Sequence, residues 1–566
     1  MTTIDTSPDA LGSERTETTS GSFLAGIAAW ATSSDHKRIG RLLVGSSLVG
    51  LVATAAIGVL LGIERVDGGQ LVFDSTLVAQ LFQAHVVGLV FGSMIPLGLG
   101  LAVAVVPLQL GARALAFPRL ALGGFYAWLL GLVGVIVALA NNGGAGGGDT
   151  DMVVLFLLAH ALMALGLLAI AGTLATSVLT TRAPGMTMRR VPFFAWSALV
   201  TAIGLLLVLP VMVGVIVYLV VDLQYSQAAF GGAAGLTAWL GWLFSAPTVF
   251  LFALPAIGVF AELVPVTFLR AQPGRGFVFA GLGLVGVAAF AAVTQQLVFN
   301  VPWEGSGFDE FGTDLRDLAP WALFHLLPVL GVVIVVALGA FCALGGKPRI
   351  SGAFLFAFFG LGMVLVGMLG AALYPIADLE LQGTVFSEAV LVYVSYGGLL
   401  GVLGGLLFWA PKLWGARVPE LMAIPLALVG VLATVLAAFP YYIAGFADQP
   451  AASSTFSYSG PEALWNILVL AGHGLMLLTV IGVVALVLAS ARTPGDDVDD
   501  VDDVDGKRVG EVGDDPWGAH TIEWSAPSPA PGNNFAEVPS ILSAEPMLDL
   551  REGVGVATSD TVGSPS

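Results

Sequence analysis

Apolar residues fill the chain in long runs, and polar residues gather in the short stretches between them. Each run is long enough to cross about 30 Å of hydrocarbon. Runs of this kind predict helices, because backbone groups inside a bilayer must pair within their own segment. The runs lack the ten-residue alternation that is typical of a β-barrel. The pattern therefore predicts an all-α, polytopic membrane protein with twelve transmembrane helices, at about 40–63, 80–107, 120–141, 152–177, 192–221, 236–268, 277–299, 319–344, 351–376, 386–411, 419–444 and 463–491.

Basic residues in the segments between the runs indicate the orientation. One set of segments holds nearly all of the lysines and arginines, and the other set holds only Arg65 and Arg316. Cytoplasmic loops carry the excess of Lys and Arg. Both termini are therefore expected in the cytoplasm, with membrane lipid as the first partner of the chain.

Composition supports this assignment and narrows the chemistry. Charged residues make up 11% of the chain, where a soluble protein would carry about a quarter. The single cysteine, Cys342, excludes a disulfide framework and a Cys-ligated cluster. Acidic residues concentrate in runs such as 496–505, which predicts a solvated tether and no nucleic-acid partner. We expect a cytoplasmic N-terminal tail at 1–36, a transmembrane domain at 37–491 and an acidic, Pro-rich cytoplasmic C-terminal tail at 492–566.

Several stretches, in order along nearly the whole chain, resemble subunit I of the haem–copper oxidases, the bacterial cytochrome c oxidase type. They include AHVVGLVFGSMIPLGLGLAVAVVPLQLGARALAFPRL at 84–120, GGLLFWAPKLWG at 404–415 and DPWGAHTIEWSAPSPAPGNNFAEVP at 515–539. The resemblance implies the subunit I architecture in the plasma membrane of a prokaryote. It also implies partners similar to oxidase subunits II and III.

The histidine count departs from what the resemblance implies. The family holds a low-spin haem on two histidines, a high-spin haem on one and a copper on three, because imidazole is a good ligand for both metals. This chain has six histidines in all, and His36 and His520 are expected in cytoplasmic segments. The four that remain in the spans, too few for the family's full set, are His85, His160, His325 and His473.

Aligned position by position, the resemblance leaves one haem ligand, because His85 matches the ligand of the second helix. Apolar, hydroxyl or amide side chains replace the others, and an amide is a poor copper ligand beside imidazole. The family's helix 10 ligands fall among 389–392, its helix 6 copper ligand, carboxylate and phenol read Ala246, Thr248 and Phe250, and its helix 7 copper pair reads Gln295 and Gln296.

Two further functions of the family are also unmatched. The proton-entry acid and the asparagines that follow it read Ala114, Ala121 and Leu122. The arginine pair that would neutralise haem propionates reads Tyr441 and Tyr442.

The surviving histidines each have a functional and a packing interpretation. His85 is the candidate cofactor-binding residue, and its alternative is a packing histidine with a hydrogen-bond partner, which a buried imidazole needs. A remodelled haem site between His85 and His473 is a second possibility. His160 and His325 are expected to be structural.

Other polar residues in the spans are also candidates. Gln295 and Gln296 are expected to form a hydrogen-bonded plug or to line a small polar cavity. Glu262 and Glu388 lie near span ends and are expected to be interfacial. Glu388 is alternatively a proton or cation site.

The sequence thus favours a subunit I-like membrane protein that has lost its redox centres and serves as a structural or regulatory component of a respiratory-oxidase-like complex. No cofactor is expected under this interpretation. Copper is not expected, and haem at His85 belongs to the alternative. That alternative is a divergent terminal oxidase that reduces O2 and translocates protons through a remodelled haem site at His85. A third class is a transporter of a small ligand or ion that uses the vacated cavity.

Overall fold

The computed structural model describes residues 28–66, 68, 72–225, 229–293, 318–456, 461–492 and 513–552. Within these ranges the chain is almost wholly helical, and eleven helices are long and apolar enough to cross a membrane. The predicted all-α, polytopic membrane fold is confirmed. The spanning helices are α1 His36–Val66, α2 Ser75–Gln109, α3 Pro118–Ala140, α4 Thr150–Thr180, α5 Phe193–Tyr225, α6 Gly235–Thr267, α8 Leu318–Ala343, α9 Gly352–Leu373, α10 Phe386–Trp414, α11 Glu420–Phe446 and α12 Ala463–Ser490.

The predicted seventh span, 277–299, is the one that differs. It corresponds to a shorter apolar helix, α7, at Arg275–Ala291. Its expected continuation lies outside the described residues. A last short helix, α13, covers Pro546–Glu552.

Three helices form the centre of the bundle. The most apolar windows of α2, α6 and α10 are fully buried, whereas α3 and α11 bury 33% and 39% of theirs. The outer helices direct leucines such as Leu130 and Leu421 outward, at 65% and 80% exposure, which suits a lipid-facing surface. The positions that the resemblance aligns with metal ligands of the family's helices 2, 6 and 10 therefore lie on the buried helices.

Small residues allow the helices to approach closely. A Cβ added to Gly360 on α9 would lie 2.6 Å from the backbone oxygen of Gly397 on α10. Two backbones can pack this tightly only where neither residue has a side chain, which is the usual means of association for helices in a membrane.

Helix α2 changes its winding directly after His85. Residues Ser75–Val87 are α-helical, Gly88–Met94 form a π-helical segment, and Ile95–Gln109 return to the α-helical form. Insertions of this type occur often at functional sites, because they redirect the side chains that follow.

The C-terminal segment, residues 513–552, packs against one end of the bundle. Asn534 accepts a hydrogen bond from Lys37 Nζ at 2.8 Å, and its Oδ1 lies 3.0 Å from Nε2 of the buried His36. Trp524 is 1% exposed in this interface. The predicted acidic tether at 496–505 lies outside the described residues.

Candidate functional site

A cavity of about 270 Å³ lies at the end of the bundle opposite the C-terminal segment. Its walls come from eight of the spanning helices and the loops beside them, and most of its lining is apolar. Its charged and ring-bearing polar groups are Arg65, His85, His160, Glu388, Tyr441 and His473.

His85 lies on α2 and is 8% exposed. Its Nδ1 lies 3.2 Å from the carbonyl oxygen of Thr54 on α1, so Nδ1 carries the proton and Nε2 is left as an acceptor. A carbonyl partner at one ring nitrogen is the usual arrangement for a metal-binding histidine. The sequence-predicted cofactor residue therefore lines a cavity in the tautomer that a ligand role requires.

His473 on α12 contacts His85 directly. The two rings meet edge to face, with centroids 5.3 Å apart. Nδ1 of His473 lies 2.7 Å from the hydroxyl oxygen of Tyr396 on α10. Because the imidazoles are in contact, no porphyrin ring can lie between them in this arrangement, and the structure does not favour a haem shared by the two.

Gly58 on α1 provides the space for both rings. A Cβ at this position would lie 2.7 Å from Nδ1 of His473 and 3.0 Å from Cε1 of His85. The pairing of the two imidazoles therefore depends on a glycine of α1, a helix that carries neither histidine.

Arg65 is the residue that the sequence interpretation missed. It is 2% exposed, and its guanidinium donates to both carboxylate oxygens of Glu388 at 2.7 and 2.9 Å. It also donates to Tyr441 Oη at 3.0 Å and to the carbonyl of Ser453 at 3.0 Å. The available signal was that Arg65, next to an apolar run, is one of only two basic residues on its side of the membrane.

Glu388 thus pairs with the buried Arg65 and is itself 25% exposed. The expectation of a freely solvated carboxylate is corrected, and its interfacial position stays a prediction. The backbone N–H of Ala452 also donates to the Glu388 carboxylate at 2.7 Å. Arg65 lies beside Tyr441, one of the two tyrosines that the resemblance aligns with the family's arginine pair. A positive charge therefore still stands at this wall, but it comes from α1.

The positions at which the resemblance expects other ligands are packed. Phe250 is fully buried, and Thr248 is 2% exposed. The ring of Phe250 meets that of His325 at 6.3 Å. Leu391 and Val392, at the expected helix 10 positions, line the cavity with apolar side chains.

Two remaining predictions concern polar residues elsewhere. Gln295 and Gln296 lie outside the described residues. Glu262 is only 3% exposed and accepts the backbone N–H of Phe194 at 3.1 Å. The carboxylate caps the start of α5 inside the protein and is not solvated, whereas its interfacial depth in the membrane stays a prediction.

Comparison with known proteins identifies the family. The model of the family described as "Cytochrome C and Quinol oxidase polypeptide I" matches residues 38–484. The cytochrome c oxidase subunit 1 of Corynebacterium diphtheriae is 26% identical over 94% of this chain and 93% of its own length. The protein of that name from Bacillus subtilis is 26% identical over 92% of this chain and 82% of its own length.

The chain is a multi-pass membrane protein of the haem–copper oxidase class. It belongs to the subunit I family of cytochrome c and quinol oxidases. The resemblance stated from the sequence is confirmed. Proteins of this family are membrane subunits of oxidase complexes that contain further subunits.

Family membership overturns the expectation about cofactors. Because so few histidines remain, the sequence predicted that the chain binds no cofactor. Copper was not expected, and haem at His85 was only an alternative. That expectation is wrong, since a family of haem–copper oxidases points to haem cofactors.

The cavity suits a haem on one protein ligand. His85 supplies an imidazole with its tautomer fixed, and the walls beside it are largely apolar, as a porphyrin requires. The chemistry of the lining and not the volume carries this fit, because about 270 Å³ lies just below the range of small-molecule sites, roughly 300–1,000 Å³. For copper, the described residues contain no group of three or more His, Cys, Asp or Glu side chains placed to hold a metal ion. No step is derived through copper.

Proposed function

We propose that this chain is a haem-binding subunit I homologue, which acts as a structural or regulatory component of a respiratory-oxidase-like complex in the plasma membrane of a bacterium. His85 would hold the haem iron through Nε2, and a bound haem would supply a one-electron centre. Oxygen reduction would belong to another protein of the complex.

The packing of α6 and α10 is the single observation that carries this proposal. Phe250 and Ala389 are completely buried where the family resemblance expects residues of the oxygen-reducing centre. By contrast, the cavity beside His85 is present. Dense packing at the positions of the oxygen-reducing centre, beside an open cavity at His85, supports a protein that binds haem and does not reduce oxygen.

The protein's own residues give the haem cavity its character. Thr54 holds the His85 ring through Nδ1, so the ligand cannot rotate away. The Arg65–Glu388 pair closes the wall with balanced charges. Leu391 and Val392 line the cavity with apolar side chains, so α10 would supply no second ligand to a haem held by His85.

Haem content tests the first half of the proposal. The protein purified in detergent should show a reduced-minus-oxidised haem spectrum and iron in stoichiometric amount. His85→Gln should lose the haem, whereas His325→Gln, which alters an intramembrane histidine outside the cavity lining, should retain it. A wild-type protein without haem would contradict the proposal.

Oxygen consumption and association test the second half. The haem-loaded protein, supplied with reduced cytochrome c or with a quinol, should consume no oxygen in a cyanide-sensitive manner. Affinity purification from native membranes should recover subunits similar to oxidase subunits II or III. Cyanide-sensitive turnover would favour the divergent terminal oxidase instead.

A further inference from the structure

The π-helical segment of α2 ends where the sequence places a proline. In a π-helix each backbone N–H bonds to the carbonyl five residues earlier, and the N–H of Ile95 bonds to the carbonyl of Val90 in this way. The next bond of the series would run from residue 96 to the carbonyl of Phe91. Residue 96 is a proline, which has no backbone N–H. The carbonyl of Phe91 is therefore left without its π-helical donor.

Trp128 on α3 supplies the missing donor. Its Nε1–H donates to the carbonyl oxygen of Phe91 at 2.8 Å, and its side chain is completely buried. A buried carbonyl without a donor is unfavourable, and nearly all such groups in proteins have a partner. The bond from Trp128 therefore stabilises the winding that α2 adopts before Pro96.

This winding determines the direction in which His85 projects. A π-helical bond spans one residue more than an α-helical bond, and one residue corresponds to about 100° of rotation in an α-helix. His85 directly precedes the π-helical segment. With regular α-helical winding, His85 would be turned relative to residues 95–109, and its Nδ1 would leave the carbonyl of Thr54 that it contacts at 3.2 Å.

Helix α1 links the same segment to the histidine. A Cβ added to Gly88, the first residue of the segment, would collide with the side chain of Thr54. Thr54 thus packs against the segment and, through its carbonyl, holds the ring of His85. A shift of the segment away from Trp128 would move Gly88 against Thr54 and disturb the contact that orients the imidazole.

We propose that Trp128 is a positioning residue for haem binding at His85. Its indole N–H takes the place of the donor that Pro96 lacks, keeps the π-helical segment in register and so directs the imidazole into the cavity. Trp128 does not line the cavity, so it acts through His85 and not by contact with the haem. The inference rests on the proposed haem site, whereas the positioning is a property of the haem-free protein.

Haem affinity tests the role of the indole N–H. Haem is titrated into the haem-free protein in detergent and followed by its absorption. Trp128→Phe keeps a buried ring and removes the donor, and loss of one hydrogen bond should raise the Kd for haem about fivefold. Trp196→Phe is the matched control, because its Nε1–H donates to the carbonyl of Phe279 at 3.2 Å and joins α5 to α7. A Kd no higher in Trp128→Phe than in the control would overturn the proposal.

Pro96→Ala in the Trp128→Phe background tests the missing donor. Alanine restores an N–H at residue 96, which can extend the π-helical series by one bond to the carbonyl of Phe91. The double variant should therefore recover the wild-type Kd, whereas a tryptophan that only filled space would not be replaced by this change. No recovery would refute the role of the donor. If Trp128→Phe does not fold, benzothienylalanine at position 128 takes its place, because it keeps the shape of the indole and lacks the N–H.

NMR of the haem-free protein separates this proposal from the proposed function. With 15N-labelled histidine, the Nδ1–H signal of His85 is assigned by its absence in His85→Gln. Its proton should be protected from exchange with water in the wild type and in Trp196→Phe, exposed in Trp128→Phe and protected again when Pro96→Ala is added. This pattern would support the positioning role even if the wild type bound no haem and the proposed function failed. Equal protection in all variants would refute the positioning role, whether or not haem binds.

Discussion

Tyr396 on α10 and His473 on α12 share a 2.7 Å hydrogen bond between the phenolic oxygen and Nδ1. Both side chains are buried, at 0% and 5% exposure. His473 in turn lies edge to face on His85 of α2. Three helices from distant parts of the sequence are thus joined at the cavity by one hydrogen bond and one ring contact.

Loss of the Tyr396 hydroxyl should destabilise the bundle. In Tyr396→Phe, Nδ1 of His473 loses its partner in a dry interior, at a cost of about 1–3 kcal/mol in the free energy of unfolding. Denaturant unfolding in detergent measures this change. Tyr126→Phe is the matched control, because its hydrogen bond to the carbonyl of Ala31 is made by a residue that is 40% exposed. A cost no greater than that of the control would show that the Tyr396 bond contributes little.

Gly58→Ala should disturb both imidazoles. The new methyl group would lie 2.7 Å from Nδ1 of His473, and overpacking of this kind costs about 1–3 kcal/mol. The unfolding temperature should fall, and haem bound at His85 should change its absorption spectrum. Gly45→Ala on the same helix is the control, because its added Cβ would contact nothing within 4 Å and alanine is the better helix former by about 1 kcal/mol. An unchanged spectrum in Gly58→Ala would separate this glycine from the ligand.

Arg65 and Glu388 should show strong energetic coupling. In Arg65→Leu the carboxylate of Glu388 remains without its cation, which costs about 3 kcal/mol, the low end for a buried pair, because Glu388 is 25% exposed. The double variant Arg65→Leu, Glu388→Leu should recover most of that loss. A double-mutant cycle of unfolding free energies measures the coupling. Additive effects would show that the two residues act independently.

Docking of the C-terminal segment should weaken as pH rises. Burial raises the pKa of the Glu523 carboxyl above its ordinary value of 4.5, so the docked segment holds a proton that the released segment gives up. The stabilisation is fully present below pH 4.5 and is lost as pH rises through the raised pKa. Hydrogen exchange of residues 513–552, normalised at each pH to the free peptide, measures docking.

Glu523→Gln is the control for this pH dependence. Glutamine keeps an acceptor for the donors Gln109 and Trp409, both at 3.2 Å from the carboxylate oxygen, but it does not titrate. Protection in this variant should vary less with pH than in the wild type. The same slope in both proteins would assign the effect to another group, such as Glu545, whose pKa burial also raises.

The pattern of apolar runs was sufficient to predict the helices, because run length and the absence of charges are local properties of the sequence. It could not reveal the Arg65–Glu388 pair, whose members are 323 residues apart. Nor could it reveal the hydrogen bond from Trp128 to the carbonyl of Phe91, since that donor comes from another helix. Counting histidines predicted too few ligands, but it could not decide whether the one at His85 still faces a cavity.

The contact between Asn534 and Lys37, 497 residues apart, has a consequence for biogenesis. Membrane helices enter the bilayer in the order of synthesis, so the first helix must wait for a residue translated 497 positions later. Until that residue has been synthesised, Lys37 and His36 have no Asn534 to bind. A nascent polypeptide would therefore leave this end of the bundle open to proteases and insertion factors.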